Sequence, residues 1–144
     1  MKTKILTATA GLAFAGLAFA QATAPDSRVA TDALQAAGYG EVRELEFDDG
    51  LWEVEVRRED GRWGEVAVDP DTGEIFDARA PRQLISLQQV LAAVEAAGYR
   101  EVHDVDRDGA LWDADAIGPD GQPMELRISG YDGRILSARP DHDD

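Results

Sequence analysis

The sequence predicts an α+β protein made of two tandem small units, each one helix packed on a three- to four-stranded antiparallel sheet. Three observations predict it. Ala36-Ala37-Gly38-Tyr39-Gly40-Glu41-Val42 recurs as Ala96-Ala97-Gly98-Tyr99-Arg100-Glu101-Val102, an offset of 60 residues that runs on without a gap. Leu87, Val90, Leu91 and Val94 fall at i, i+3, i+4 and i+7, one face of a helix. Trp52, Val54 and Val56 alternate with Glu53, Glu55 and Arg57, the period-two pattern of a half-buried strand.

The chain begins with a segment that reads as processing signal. Lys2 and Lys4 precede an apolar run from Ile5 to Ala20, and Ala18 and Ala20 fit an A-x-A cleavage rule, so residues 1–20 are expected to be removed as an export signal. The run is short for a transmembrane helix, and no later segment is apolar enough for one, so no membrane span is expected after cleavage. A periplasmic or secreted location follows. Residues 21–25 then lead into unit 1, residues 26–79; residues 80–85 link it to unit 2, residues 86–139; and 140–144 read as a disordered acidic tail.

Each unit opens with its helix. In the second, Ser86 is the expected N-cap and Gln89 completes a capping box, while Gly98 supplies the left-handed stop. In the first, Asp26 is the expected cap and Gly38 the stop, with a thinner apolar face of Ala30, Leu34 and Ala37. Strands follow. Leu45 and Phe47 share one side of the first strand, opposite Glu44 and Glu46. Asp60-Gly61 is a hairpin signal, because tight turns need positive φ. Beyond it Gly64, Val66 and Val68 face one way, and Trp63, Glu65 and Ala67 the other. Asp69-Pro70-Asp71-Thr72-Gly73 turns the chain into a short strand at Ile75. Under the offset Leu51-Trp52 meets Leu111-Trp112, Asp60-Gly61 meets Asp120-Gly121, and Ala78-Arg79 meets Ala138-Arg139. Both Trp52 and Trp112 are expected in the core. Units of this size bury little surface alone, so the two are expected to dock, or to stabilise each other through the short linker.

Composition narrows function. The 144 residues include no Cys, 14 Lys+Arg and 29 Asp+Glu, a formal net charge of −15. Lys2 and Lys4 are the only lysines, so the chain from residue 21 sets 12 arginines against 29 acids, a net −17. Disulfides, cysteine metal sites and a thiolate nucleophile are excluded. So anionic a surface argues against nucleic acid and anionic membrane as partners. No nucleophile elbow, phosphate loop or dinucleotide fingerprint is present. The two histidines are His103, which stands where the first unit has Arg43, and His142 near the end. No catalytic residues are assigned and the chain reads as a non-enzyme.

Two candidate sites emerge. Trp63 lies on the expected outer sheet face with Glu65, and the second unit has Pro123 in its place; an outer-face tryptophan is a natural contact for a protein partner. Asp104 to Asp115 fits an EF-hand loop, with Asp104, Asp106 and Asp108 at positions 1, 3 and 5, Gly109 at 6 and Asp115 at 12. Against it, the preceding helix stops at Gly98 and Gly118-Pro119 follows. The repeat also maps this stretch onto strand, turn and strand. On strands Asp104, Asp106 and Asp108 would share one face and could gather calcium loosely.

The helix ending Ala-Ala-Gly-Tyr, the strand Leu51-Trp52-Glu53-Val54-Glu55-Val56, Asp60-Gly61 and the exit Val66-Ala67-Val68-Asp69-Pro70-Asp71-Thr72-Gly73-Glu74-Ile75 together resemble the PepSY family. In the second copy Ser129-Gly130-Tyr131-Asp132-Gly133 replaces the second turn. The resemblance implies a small α+β module outside the cytoplasm, found in peptidase propeptides and in stand-alone exported proteins. It implies no catalytic residues and no cofactor, and a protein partner that could be a peptidase. The leading expectation is therefore an exported, non-enzymatic module that binds and regulates a peptidase. The alternative is an acidic calcium- or cation-binding protein using the 104–115 loop.

Overall fold

A computed structural model describes residues 23–141. The export signal, residues 21 and 22, and 142–144 of the expected tail lie outside the described residues. Those described form α1 (Arg28–Ala36), β1 (Val42–Asp48), β2 (Leu51–Arg57), β3 (Trp63–Val68), β4 (Ile75–Phe76), α2 (Leu87–Ala96), β5 (Arg100–Asp108), β6 (Leu111–Ile117), β7 (Pro123–Ser129) and β8 (Ile135–Pro140). They build two antiparallel sheets in simple meander order, β1-β2-β3-β4 and β5-β6-β7-β8, each with one helix. The predicted fold class is the observed one.

Local chemistry accounts for the elements. Ser86 accepts the Gln89 backbone N–H, and the Gln89 side chain returns the bond to the Ser86 N–H, so α2 starts on a full capping box. Ser27 already has helical φ and ψ and caps nothing with its side chain. Asp26 does that work for α1, accepting the Arg28 N–H at 3.0 Å. Both helices stop at a glycine in the left-handed region, Gly38 and Gly98. The hairpin from β2 to β3 is a three-residue loop, closed by Arg58 N–H to Arg62 O at 2.8 Å, and only Gly61 needs positive φ.

Burial follows the alternation, with three corrections. Ala30 and Leu34 of α1 cover Trp52, Val54, Val56, Val66 and Val68. Val90 and Val94 of α2 cover Ala114, Ala116, Leu126 and Ile128. Ala37, expected on the α1 apolar face, is exposed, because the helix has already turned into its stop. Leu87 is 41% exposed at the first turn of α2, beyond the sheet edge. Trp52 is buried as expected, but Trp112 is only half-buried. β8 also runs past residue 139: Pro140 pairs with Met124, and Asp141 donates its N–H to Pro123 O at 3.0 Å.

A third apolar cluster joins the units. Leu51, Ala67 and Phe76 leave the first sheet on the face opposite α1 and meet Ala110, Leu111 and Tyr131 of the second, with Leu84 of the linker and Leu136 at the edge. Leu51 and Leu111 are equivalent under the repeat, so the same end of each outer face is buried. Gly50 packs so close that an added Cβ would come within 2.9 Å of Ser137 Cβ, and its φ of +84° already demands glycine. Tyr131 stacks on Phe76 at 5.8 Å; its hydroxyl donates to Asp77 O at 2.7 Å and accepts the Asp77 N–H at 3.1 Å. Tyr131→Phe should therefore cost about 1–3 kcal/mol, because it leaves the buried Asp77 N–H unpaired and takes one of two donors from the Asp77 carbonyl, which keeps the Ala80 N–H at 3.0 Å. Urea unfolding measures it, and a neutral result would mean that the hydroxyl contributes nothing to docking.

Candidate functional site

The outer faces divide into a buried end and an open acidic end. Alternation along β2 sends Glu53 and Glu55 away from α1, and the register sets Glu46 opposite Glu53, Glu44 opposite Glu55, and Glu55 opposite Glu65. These five glutamates, with Val54, line a groove of about 380 Å³. Like charges directly across a sheet cost stability. Arg43 bonds the Glu55 carboxylate and lies with its guanidinium carbon 4.5 Å from the Trp63 ring centroid. Glu53 is held from the second unit by Arg127, at 2.7 Å. Glu44, Glu46 and Glu65 have no ion-pair partner among the described residues. Burial, then the charges of Glu53 and Asp108, push the Glu65 carboxyl above its ordinary value.

The second unit carries the equivalent groove, of about 260 Å³. Its Asp104, Asp113, Ala114, Asp115 and Glu125 stand where the first has Glu44, Glu53, Val54, Glu55 and Glu65. Here two arginines enter. Arg127, 7% exposed, bonds Asp113 at 3.1 Å, Asp108 at 3.3 Å and Glu53 of the other unit. Arg139 bridges Glu125 and Asp49. Burial opposes the Arg127 charge, but the Glu53 bond and the surrounding carboxylates hold it above the usual range. Burial is also the main reason that Asp113 and Asp49 lie above theirs.

The sequence candidates fall on these grooves, in a different grouping from the expected one. Glu65 lines the first groove, and Trp63 flanks it half-buried beneath Arg43. The 104–115 segment is the β5–β6 hairpin, so there is no helix–loop–helix. Asp106 and Asp108 lie on the outer face, opposite Asp113 and Leu111, and Asp104 lines the outer groove too, but the three carboxylates do not converge. β5 is irregular twice, before and after His103, and Asp104 takes a φ of +46°, which breaks the alternation. Asp104 and Asp115 gather with His103, their ligand atoms within 4.8 Å of one another. Asp108 gathers instead with Glu53 and Glu65 across the unit boundary. Asp106 lies opposite Asp113 and joins neither group. The four aspartates therefore form no single calcium site.

One polar cluster escaped the sequence reading. Asp77, 3% exposed, accepts the Tyr39 hydroxyl at 2.7 Å, the Arg79 backbone N–H at 2.9 Å and the Arg58 guanidinium. Burial raises the Asp77 carboxyl, but those three donors outweigh it and hold it below the ordinary value. The group borders a cavity of about 550 Å³ with Gly38, Asp60, Ile75 and Pro81. Its one trace in the sequence is that Gly118 and Ser137 replace Arg58 and Asp77 in the second copy.

Residues 4–79 match the family described as peptidase propeptide and YPEB domain, a span that contains all of α1 to β4 and starts inside the expected export signal. Among solved structures the YpmB protein from Bacillus subtilis is similar, at 21% identity, with 80% of this chain and 96% of that one covered and a TM-score of 0.35. No curated protein matches the chain. With more than half of its residues matched to that family, the chain belongs to the PepSY group of peptidase propeptide and YPEB domains.

Proposed function

We propose that this protein is an exported, non-enzymatic binding module, two PepSY units in tandem, that restrains or regulates a peptidase outside the cytoplasm. Domains of this family are propeptide-like or regulatory modules, and no helix among the described residues is long and apolar enough to cross a membrane. The observation that carries the reading is the first outer sheet face. The second unit covers its apolar end, while its other end keeps Trp63 and three glutamates without ion-pair partners. An amphipathic aromatic beside uncompensated charge is the composition of a protein contact, and the partner surface that fits it is cationic.

The test uses peptidases of the periplasmic fraction. Wild-type protein should slow at least one of them. Trp63→Ala combined with Glu65→Lys should weaken that inhibition by about 2 kcal/mol, roughly thirtyfold, because an anchoring Trp carries that much. Both positions are outside the packed core, so the melting temperature should hold. Equal inhibition by the variant would move the contact elsewhere on the surface. Inhibition of no peptidase, with no specific partner captured, would remove the proposal.

A further inference from the structure

We infer that His103, Asp104 and Asp115 form a binding site for a zinc-class divalent cation on the outer face of the second sheet. His103 and Asp115 are cross-strand partners on β5 and β6, and the bulge at Asp104 brings its carboxylate to the same point. One ring nitrogen and one oxygen from each carboxylate lie within 4.8 Å of one another. An ion bound at about 2.0–2.2 Å spans ligands roughly 3–4 Å apart, so a small closure of exposed side chains completes the set. The ring is already anchored: His103 Nδ1 lies 3.1 Å from the Asp115 carbonyl oxygen. Donation there leaves the lone pair on Nε2, the pairing of backbone carbonyl and ligating imidazole common at metal sites.

The first unit supplies an independent pointer to a cation. At the equivalent positions it has Arg43, Glu44 and Glu55, and the Arg43 guanidinium sits on the Glu55 carboxylate. That site is filled by the chain's own fixed positive charge. The second unit replaces the fixed guanidinium with an imidazole, a metal-ligand side chain, and neither Asp104 nor Asp115 has an arginine partner among the described residues. The neighbouring charges do not compensate. Arg127 and Arg139 are committed to Asp113, Asp108, Glu53, Glu125 and Asp49, and Asp141 adds a negative charge near Asp115. What the arginine does in one unit, an external cation does in the other. The donor set selects its class. One imidazole with two carboxylates suits zinc, nickel or manganese, whereas calcium takes six to eight oxygens.

Zinc titration of the full chain by calorimetry, at about pH 7.5 in physiological salt, tests this. One zinc per chain is expected, with the His103 ring nitrogens shifted in ¹⁵N NMR and calcium unable to compete. His103→Ala should weaken binding by about tenfold or more. His103→Arg, which restores the first unit's cation, should abolish it while circular dichroism stays native. His142→Ala should leave the affinity unchanged. A flat zinc titration, wild-type affinity in His103→Ala, loss in His142→Ala, or displacement by calcium would each overturn the assignment.

Discussion

Trp52→Ala is expected to destabilise the protein by about 3–5 kcal/mol, and Trp112→Ala by distinctly less. The two positions are equivalent in sequence but not in environment. Trp52 is 6% exposed and meets Phe47 edge-on with centroids 5.2 Å apart. It sits on the middle of its sheet, paired with Phe47 on one side and Val68 on the other. In the second unit the residue at the Phe47 position is Arg107. It is paired with Trp112, with its guanidinium carbon 6.0 Å from the ring centroid. A side chain half open to water loses less transfer free energy on truncation and leaves a smaller cavity. Trp52 has one further peculiarity: its buried Nε1 finds no hydrogen-bond partner among the described residues. Trp52→Phe keeps most of the buried ring and discards that orphaned donor, so it should cost under about 1.5 kcal/mol. Chemical denaturation of the three variants decides the matter. Equal costs for the two alanine variants would mean that the half-open tryptophan is held as firmly as the buried one.

Periodicity made the architecture readable. Trp52-Val54-Val56 against Glu53-Glu55-Arg57 dictates one buried face, and Ser86 with Gln89 dictates where α2 begins. The gapless repeat then transferred the pattern to the weaker copy. Two kinds of information were not in the pattern. The first is what covers an outer face. Leu51, Ala67 and Phe76 sit among glutamates on strands whose other face already has a core, and only the docked second unit gives them partners. The cluster of Glu53, Glu65 and Asp108 is a product of that docking, which no local spacing encodes. The second is where alternation fails. An evenly spaced three-aspartate site in β5 presumes strict period two; the irregularities around His103 leave all three on the outer face but regroup them, Asp104 with His103 and Asp115, Asp106 against Asp113 and Asp108 with Glu53 and Glu65. Trp63 lies on the outer face that the alternation dictates, but its shielding by Arg43 depends on the same kind of irregularity, between Val42 and Glu44.

Asp77→Ala should cost about 3–5 kcal/mol, because it strands a buried arginine rather than merely deleting a bond. The side chains of Asp77 and Arg58 are 4% and 14% exposed, and Arg58 Nε already has no partner among the described residues. Removing the carboxylate leaves the guanidinium without its counter-charge and frees the Tyr39 hydroxyl and the Arg79 N–H. The second unit shows how the same fold manages without the pair, since Gly118 and Ser137 replace both members. Arg58→Gly with Asp77→Ser should therefore be less damaging than the two single costs added together, which a double-mutant cycle would read directly. The pair also sets the acid limit of the fold. Asp77 lies below its ordinary value in the folded state, so its contribution is complete above the unfolded value, near 3.8, and is lost as pH falls through the lowered folded one. Glu65, Asp113, Asp115 and Asp49 are shifted the other way. A raised carboxyl stabilises most below its unfolded value, and that contribution disappears as pH rises through the raised folded value. The melting temperature should accordingly climb as pH is lowered through the raised folded values of these carboxyls, and fall again once Asp77 takes up its proton. In Asp77→Ala the climb should remain, and its deficit against wild type should close in strong acid. A deficit that stays undiminished at every acid pH the fold survives would show that Asp77 supports the fold by shape, with its charge making no contribution.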